Sequence, residues 1–201
     1  MLGLTGSIGM GKSTTAAMFR KIGIPVHDSD KAVHRLYSGA VAPLIEAAFP
    51  GTVYNGTVDR ALLGDIVLAN PTDLRKLESI VHPFVRQEEW IFFSKALLMR
   101  SRLVVLDIPL LFETKGDSRV DAVLVVTAPL SVQRDRVLSR SGMTEKRFAD
   151  ILKRQMPDLE KRRRAHFIVD TGKGMALAYK QVFDIVHALS GVVGTYRSAD
   201  A

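Results

Sequence analysis

Eight residues near the amino terminus constrain this chain more than any other stretch. Gly6-Ser7-Ile8-Gly9-Met10-Gly11-Lys12-Ser13 matches the pattern G-x-x-x-x-G-K-[ST] in full. It directly follows the apolar run Leu2–Thr5 and directly precedes a stretch of helical character. Glycines at these positions let successive backbone N–H groups turn toward one centre. The positive end of the following helix adds to them, so the loop cradles a polyphosphate. Lys12 then reaches the β- and γ-phosphates and the Ser13 hydroxyl faces Mg²⁺. A glycine-rich turn with a chance lysine is the alternative, and the strand–loop–helix context speaks against it.

The remaining apolar runs supply the frame that such a loop needs. Ile24–Asp28, Leu103–Asp107, Val120–Thr127 and Phe167–Asp170 are short and nearly continuous, as strands buried on both faces of a parallel sheet are. Between them lie helical periodicities, of which Ala178, Val182, Ile185, Val186 and Leu189 make the longest stripe. The alternation predicts an α/β fold: a three-layer core around a five-stranded parallel sheet with right-handed crossovers. Residues 31–100 break the alternation and read as helical throughout. Leu74, Leu77 and Val81 make one stripe there, and Phe84, Ile91 and Leu98 the next, with a boundary or kink at Pro83. The expected organisation is a nucleotide-binding core over 1–30, 101–140 and 165–191, a helical acceptor-binding insertion over 31–100, a lid over 141–164 and a frayed tail over 192–201.

Four further groups carry candidate chemistry. Asp28 and Asp30, in His27-Asp28-Ser29-Asp30, would point to one side of the sheet if the strand conformation persists. Either could take or orient a hydroxyl proton, and Asp30 lies further out; capping of a helix near Lys31 is the other use of these residues. Asp107 ends a hydrophobic strand, the usual place for an aspartate that organises Mg²⁺, although a strand-end cap is an equal reading. Pro109-Leu110-Leu111-Phe112-Glu113 is either a packed corner or a wall of a substrate pocket. Gln133, Arg136 and Arg140 share one helix face, where arginines can meet a transferring phosphoryl group; a solvated basic face is the other reading. The run Lys161–Arg164 reads as a solvated lid edge, and Trp90 with its neighbouring phenylalanines as core.

Composition excludes more than it assigns. The chain has 201 residues and no cysteine, so it holds no disulfide, thiol nucleophile or zinc-thiolate site. Its five histidines show no metal-ligand spacing. No apolar run approaches the ~20 residues of a membrane span, and the amino terminus does not read as a secretory signal, so a cytoplasmic protein is expected. The net charge of +7 asks for an anionic partner. No segment interleaves aromatic and basic residues as a nucleic-acid groove would.

Taken together the motifs resemble the dephospho-CoA kinase family, within the nucleoside-monophosphate-kinase-like P-loop group. The resemblance is carried by Gly3-Leu4-Thr5-Gly6 running into Gly9–Thr14, Asp28-Ser29-Asp30, Val58-Asp59-Arg60 with Leu62, Leu77-Glu78 and His82-Pro83. It continues through Asp107-Ile108-Pro109-Leu110-Leu111-Phe112-Glu113, Gln133, Arg136, Arg140, Gln155 and Ala165–Gly172. It implies transfer of phosphate from ATP to the ribose 3′-hydroxyl of dephospho-CoA, the last step of coenzyme A synthesis, with Mg²⁺ as cofactor and no nucleic-acid or membrane partner. It further implies a monomer or small homo-oligomer. By the same resemblance Asp30, Lys12 and Arg140 are catalytic. ATP is held by Gly9, Met10, Gly11, Lys12, Ser13, Thr14, Arg136 and Arg140. Asp28, Asp30, Arg60, His82 and Leu110 line the acceptor site, and Ser13 and Asp107 face the metal. Two positions depart from the family pattern: Ser29 stands where alanine is usual, and His166 where aspartate is usual. The nearest rival is another small P-loop kinase with a different hydroxyl acceptor; a nucleic-acid-remodelling P-loop ATPase is the rival from another class.

Overall fold

The computed structural model describes residues 1–191, so the expected frayed tail over 192–201 lies outside the described residues. The chain divides into two compact units, Met1–His27 with Met99–Ala201, and Asp28–Leu98.

The first unit is built on a five-stranded parallel sheet. Its strands are β1 (Leu2–Thr5), β2 (Val26–Asp28), β5 (Val105–Asp107), β6 (Ala122–Thr127) and β7 (Phe167–Asp170), in spatial order β2-β5-β1-β6-β7. All four residues of β1, the central strand, are buried, as continuous rather than alternating apolar character requires. On one face Leu2, Leu4, Leu124, Val126 and Val169 pack against Ala16 and Phe19 of α1 (Lys12–Lys21) and Val182 and Ile185 of α9 (Met175–Leu189). On the other face Gly3 makes room: a Cβ there would stand 3.0 Å from Leu111 and 3.1 Å from Val120. Three more helices, α6 (Leu130–Leu138), α7 (Glu145–Lys153) and α8 (Asp158–Arg164), fill the crossover from β6 to β7.

The second unit contains α2 (Ser29–Tyr37), α3 (Ala42–Ala48), β3 (Val53–Tyr54), β4 (Thr57–Val58), α4 (Arg60–Ala69) and α5 (Pro71–Leu98). Its core is Leu36, Val41, Ile45, Phe49, Leu63, Val67, Leu77 and Val81.

Three expectations for this segment are corrected. It is not helical throughout, because β3 and β4 form an antiparallel hairpin. Asn55 and Gly56 both have positive φ, 49° and 74°, as the Asn-Gly turn of a two-residue hairpin demands. Of the boundary or kink expected at Pro83, the boundary is absent: α5 runs 28 residues through the proline. A proline inside a helix costs about 3 kcal/mol, and packing of α5 against α2, α3 and α4 offsets it. Beyond Pro83 the buried positions are Glu89, Phe93 and Ala96, while Trp90 is 61% and Leu98 85% exposed, so neither belongs to the core.

Candidate active site

The phosphate loop takes the shape its glycines allow. Gly9 and Gly11 have φ of 79° and 92°, a region that L side chains rarely occupy. A Cβ on Gly9 would also lie 2.5 Å from Val137 and 2.9 Å from the Gln133 carbonyl. Helix α1 begins at Lys12 behind Gly11, with no side chain capping its first turn and no acidic residue in it. Ser13 and Thr14, both exposed, stand at the positive end of the helix, where backbone amides can receive an anion.

The Lys12 ammonium sits 2.5 Å from Asp107 Oδ1. Asp107 closes β5, beside β1, and is 3% exposed. The ion pair holds Lys12 across the loop beside a carboxylate of the hard-oxygen type that a divalent cation accepts.

Three side chains far apart in sequence fix the loop from outside. Gln133, in α6, donates through Nε2 to the Ile8 carbonyl at 2.7 Å. Gln155 accepts from the Ile8 N–H at 3.1 Å. The Thr171 hydroxyl, just past β7, donates to the Met10 carbonyl at 2.8 Å and accepts from Arg136 Nη1 at 2.8 Å, while Arg136 Nη2 donates to the Thr171 carbonyl at 2.9 Å. Arg136 is thus held beside the loop. Arg140, expected on the same helix face, lies two residues past the end of α6 and is exposed. Gln155 and Thr171 carry part of the family resemblance, but the sequence alone assigns them no site role, since their partners are 147 and 161 positions away.

The apolar turn after β5 is a packed corner. Leu111 and Phe112 are buried, whereas Leu110 is 40% exposed. Glu113 accepts from the Met156 N–H at 2.8 Å and lies 2.8 Å from the ammonium of Lys161, which is completely buried. Burial pushes the Glu113 carboxyl up, but Lys161 and the Met156 amide outweigh it and hold the group below its ordinary value. The expectation of a solvated edge over Lys161–Arg164 is corrected at Lys161 alone, which is an interior cation; Arg162, Arg163 and Arg164 are exposed, the last with its guanidinium 5.9 Å over the Phe112 ring. Arg162 pairs with Asp158 at 2.8 Å, and both edge a cavity of about 390 Å³ that Met10 and Gln133 also line.

The second unit carries the remaining candidates. The strand conformation does not persist past Asp28, because α2 begins at Ser29. Asp28 caps that helix, accepting from the Lys31 N–H at 3.0 Å, while Asp30 lies exposed in the first turn. Asp28 is thereby committed to backbone structure in a way that Asp30 is not. Arg60 opens α4 behind its N-cap Asp59, and both Arg60 and His82 are exposed. Burial pushes the Tyr37 phenol up, with the nearby charge of Arg60 pulling it down.

His166, at the position that departs from the family pattern, accepts from the Val123 N–H through Nδ1 at 3.1 Å. The contact satisfies an amide within β6.

Residues 1–176 match the family model described as dephospho-CoA kinase. A curated relative named dephospho-CoA kinase, from Mesorhizobium japonicum, is 58% identical over 97% of this chain and 99% of its own length. One from Agrobacterium fabrum is 54% identical over 94% and 97%. Among solved structures, a Thermus thermophilus protein superposes with a TM-score of 0.82 at 35% identity, covering 93% of this chain and 95% of that one.

Proposed function

The chain belongs to the dephospho-CoA kinase family, and from that premise we propose which residues carry out its reaction. The enzyme transfers phosphate from ATP to the ribose 3′-hydroxyl of dephospho-CoA, giving CoA and ADP in the last step of coenzyme A biosynthesis. Gly9, Met10, Gly11, Ser13 and Thr14 bind the ATP phosphates through the loop and the uncapped start of α1, and Lys12 neutralises the phosphoryl group in flight. Arg136 and Arg140 add positive charge on the nucleotide side, with residues 141–164 acting as the lid over it.

The observation that carries this assignment is the Lys12–Asp107 pair at the mouth of an uncapped helix. It holds the lysine in place before ATP arrives.

Mg²⁺ fits the donors present. The Ser13 hydroxyl and Asp107 carboxylate are hard oxygens, and this ion commonly takes one or two such protein ligands and the rest from substrate phosphates and water. Among the described residues no group of three His, Asp or Glu forms a cage, in keeping with a metal that enters as Mg·ATP. When bound, it supplies neutralisation of the β- and γ-phosphate oxygens.

On the acceptor side, Asp30 takes or orients the 3′-hydroxyl proton, because its carboxylate is exposed while that of Asp28 serves as a helix cap. Asp28 acts beside it by holding the start of α2. Arg60 stands at the positive end of its own helix, an unfavourable place for a cation that an acceptor phosphate would relieve. His82 and Leu110 complete the acceptor contacts. Among the described residues no helix is long and apolar enough to cross a membrane; we place the enzyme in the cytoplasm, as a monomer or small homo-oligomer without a nucleic-acid partner.

The test is ADP release coupled to product mass, with Mg·ATP and dephospho-CoA, and with adenosine, AMP and shikimate as rival acceptors. CoA that forms only with dephospho-CoA is expected. Turnover of another acceptor instead would overturn the substrate assignment and keep the kinase fold.

A further inference from the structure

The two peptide groups that flank Ile8, Ser7–Ile8 and Ile8–Gly9, are each held by a glutamine, and the two glutamines belong to opposite ends of one excursion of the chain. Gln133 lies in α6, from which the chain departs at Ser139, and its amide N–H grips the Ile8 carbonyl at 2.7 Å. Gln155 stands where the chain returns, directly after α7, and its amide oxygen receives the Ile8 N–H at 3.1 Å. Its own backbone N–H closes on the Leu152 carbonyl at 3.1 Å, so the side chain is fixed to the end of α7 rather than to a loose loop.

The next residues are fastened as well. Glu113 holds the Met156 amide and the buried Lys161 ammonium, both at 2.8 Å, which ties the start of α8 to the corner after β5. The stem 155–161 is therefore pinned between the phosphate loop and the residues that follow Asp107. Ile8 immediately precedes Gly9, where the loop enters its left-handed turn. The orientation of these two peptides thus sets the direction from which the phosphate-binding amides fan out.

We propose that Gln155 is a positioning residue for the transfer: it holds the Ser7–Ile8 peptide while Gln133 holds the Ile8–Gly9 peptide, so that both ends of the excursion are referenced to the phosphate loop. It touches neither ATP nor acceptor. Glu113 and Lys161 support it by fixing the return stem. The proposal rests on the reading of a lid within residues 141–164, of which the stretch from Gln155 onward is the fastened stem, and of the loop as the ATP phosphate site.

Chemistry separates this role from general packing. The Ile8 N–H needs an acceptor and the Ile8 carbonyl needs a donor. A glutamate at 155 still accepts, whereas a glutamate at 133 sets a carboxylate against a carbonyl oxygen. Both substitutions add one negative charge beside Ile8, but Gln133 is buried and Gln155 only half-buried, so the hydrogen bond is read from Gln155→Glu against Gln155→Leu at one site.

The experiment measures Mg·ATP affinity calorimetrically on the full chain, with KM for ATP and for dephospho-CoA determined in parallel. Gln155→Leu should weaken Mg·ATP about tenfold, the effect of leaving a partly buried amide unpaired, and should raise KM for ATP while KM for dephospho-CoA stays within about twofold. Gln155→Glu should recover most of that loss and Gln133→Glu should not. Equal effects of Gln155→Glu and Gln155→Leu, or parallel rises in both KM values, would overturn the proposal. If Gln155→Leu does not fold, Gln155→Glu decides against the wild type, where a loss of Mg·ATP affinity of about tenfold would overturn it. A wild-type protein that binds Mg·ATP yet forms no CoA would sink the substrate assignment, while the titrations still judge the clamp.

Discussion

In the unit built on the sheet, several of the candidate residues are already tied into place, although Arg140 is exposed. Lys12 is paired with Asp107, Ile8 is held by Gln133 and Gln155, and Arg136 is bound twice to Thr171. In the unit from Asp28 to Leu98, Asp30, Arg60 and His82 stand exposed on helix surfaces. The contrast has a physical reason. A loop that must present several backbone amides to one polyphosphate works only when its peptides are fixed beforehand. Side chains that meet a large acceptor one contact at a time can be ordered by that acceptor when it binds.

If this division is real, substitutions in the two units should fail differently. The largest loss is expected for Lys12→Ala, which should cut turnover by about 10³-fold by removing a charge aimed at the transferring group. It should also leave Asp107 without its cation. Asp30→Asn should lower kcat by at least about 10²-fold, the range for a lost general base, while Mg·ATP affinity stays close to wild type. Full activity in Asp30→Asn would move the role to Asp28. Arg60→Ala and His82→Ala should act on the acceptor side alone, with KM for dephospho-CoA rising about tenfold for the arginine through loss of a charge-assisted contact. A rise in KM for ATP in those variants would break the comparison.

Reading the sequence recovered the two regions unequally, for related reasons. The limits of β1 and β7 agree with their apolar runs, and the left-handed turns at Gly9 and Gly11 suit a glycine-rich loop that local pattern alone marks. In the second unit the Asn55-Gly56 hairpin was passed over amid strong helical periodicity, although that dipeptide is a turn signal. Pro83 was given too much weight because the packing that overrides it is not local. The same limit hid the roles of Gln155 and Thr171, whose hydrogen bonds join the amino-terminal loop to distant segments. It also hid Lys161, whose basic neighbours made an interior cation look like a surface run.

The Glu113–Lys161 pair offers a smaller test, within the sheet-bearing unit. Glu113→Gln removes the anion but leaves the ammonium buried, and a broken pair of this kind costs about 3 kcal/mol. The Glu113 carboxyl is held below its ordinary value, so its stabilising share is complete above the ordinary glutamate range and is lost as pH falls through the lower folded value. Thermal unfolding of the wild type should therefore show an acid-side decline below about pH 4 that is shallower in Glu113→Gln. Identical pH profiles would mean that the pair contributes nothing to linkage.

The smallest effect concerns His166, which departs from the family pattern. Its Nδ1 accepts the Val123 N–H at 3.1 Å, and its own N–H donates to the Val123 carbonyl at 2.9 Å. The side chain therefore supplies an acceptor to an amide at the start of β6, a task that an aspartate could also perform. His166→Asp should then leave Tm within about 2 °C of wild type, whereas His166→Leu should lower it by about 2–4 °C, the shift for roughly 1 kcal/mol in a chain of this size. Both variants should keep wild-type KM for ATP and for dephospho-CoA, because Val123 lies far along β6 from the strand end that meets the phosphate loop. A change in either KM with Tm preserved would show that this position has a part in catalysis, and the histidine would then need an explanation beyond its hydrogen bond.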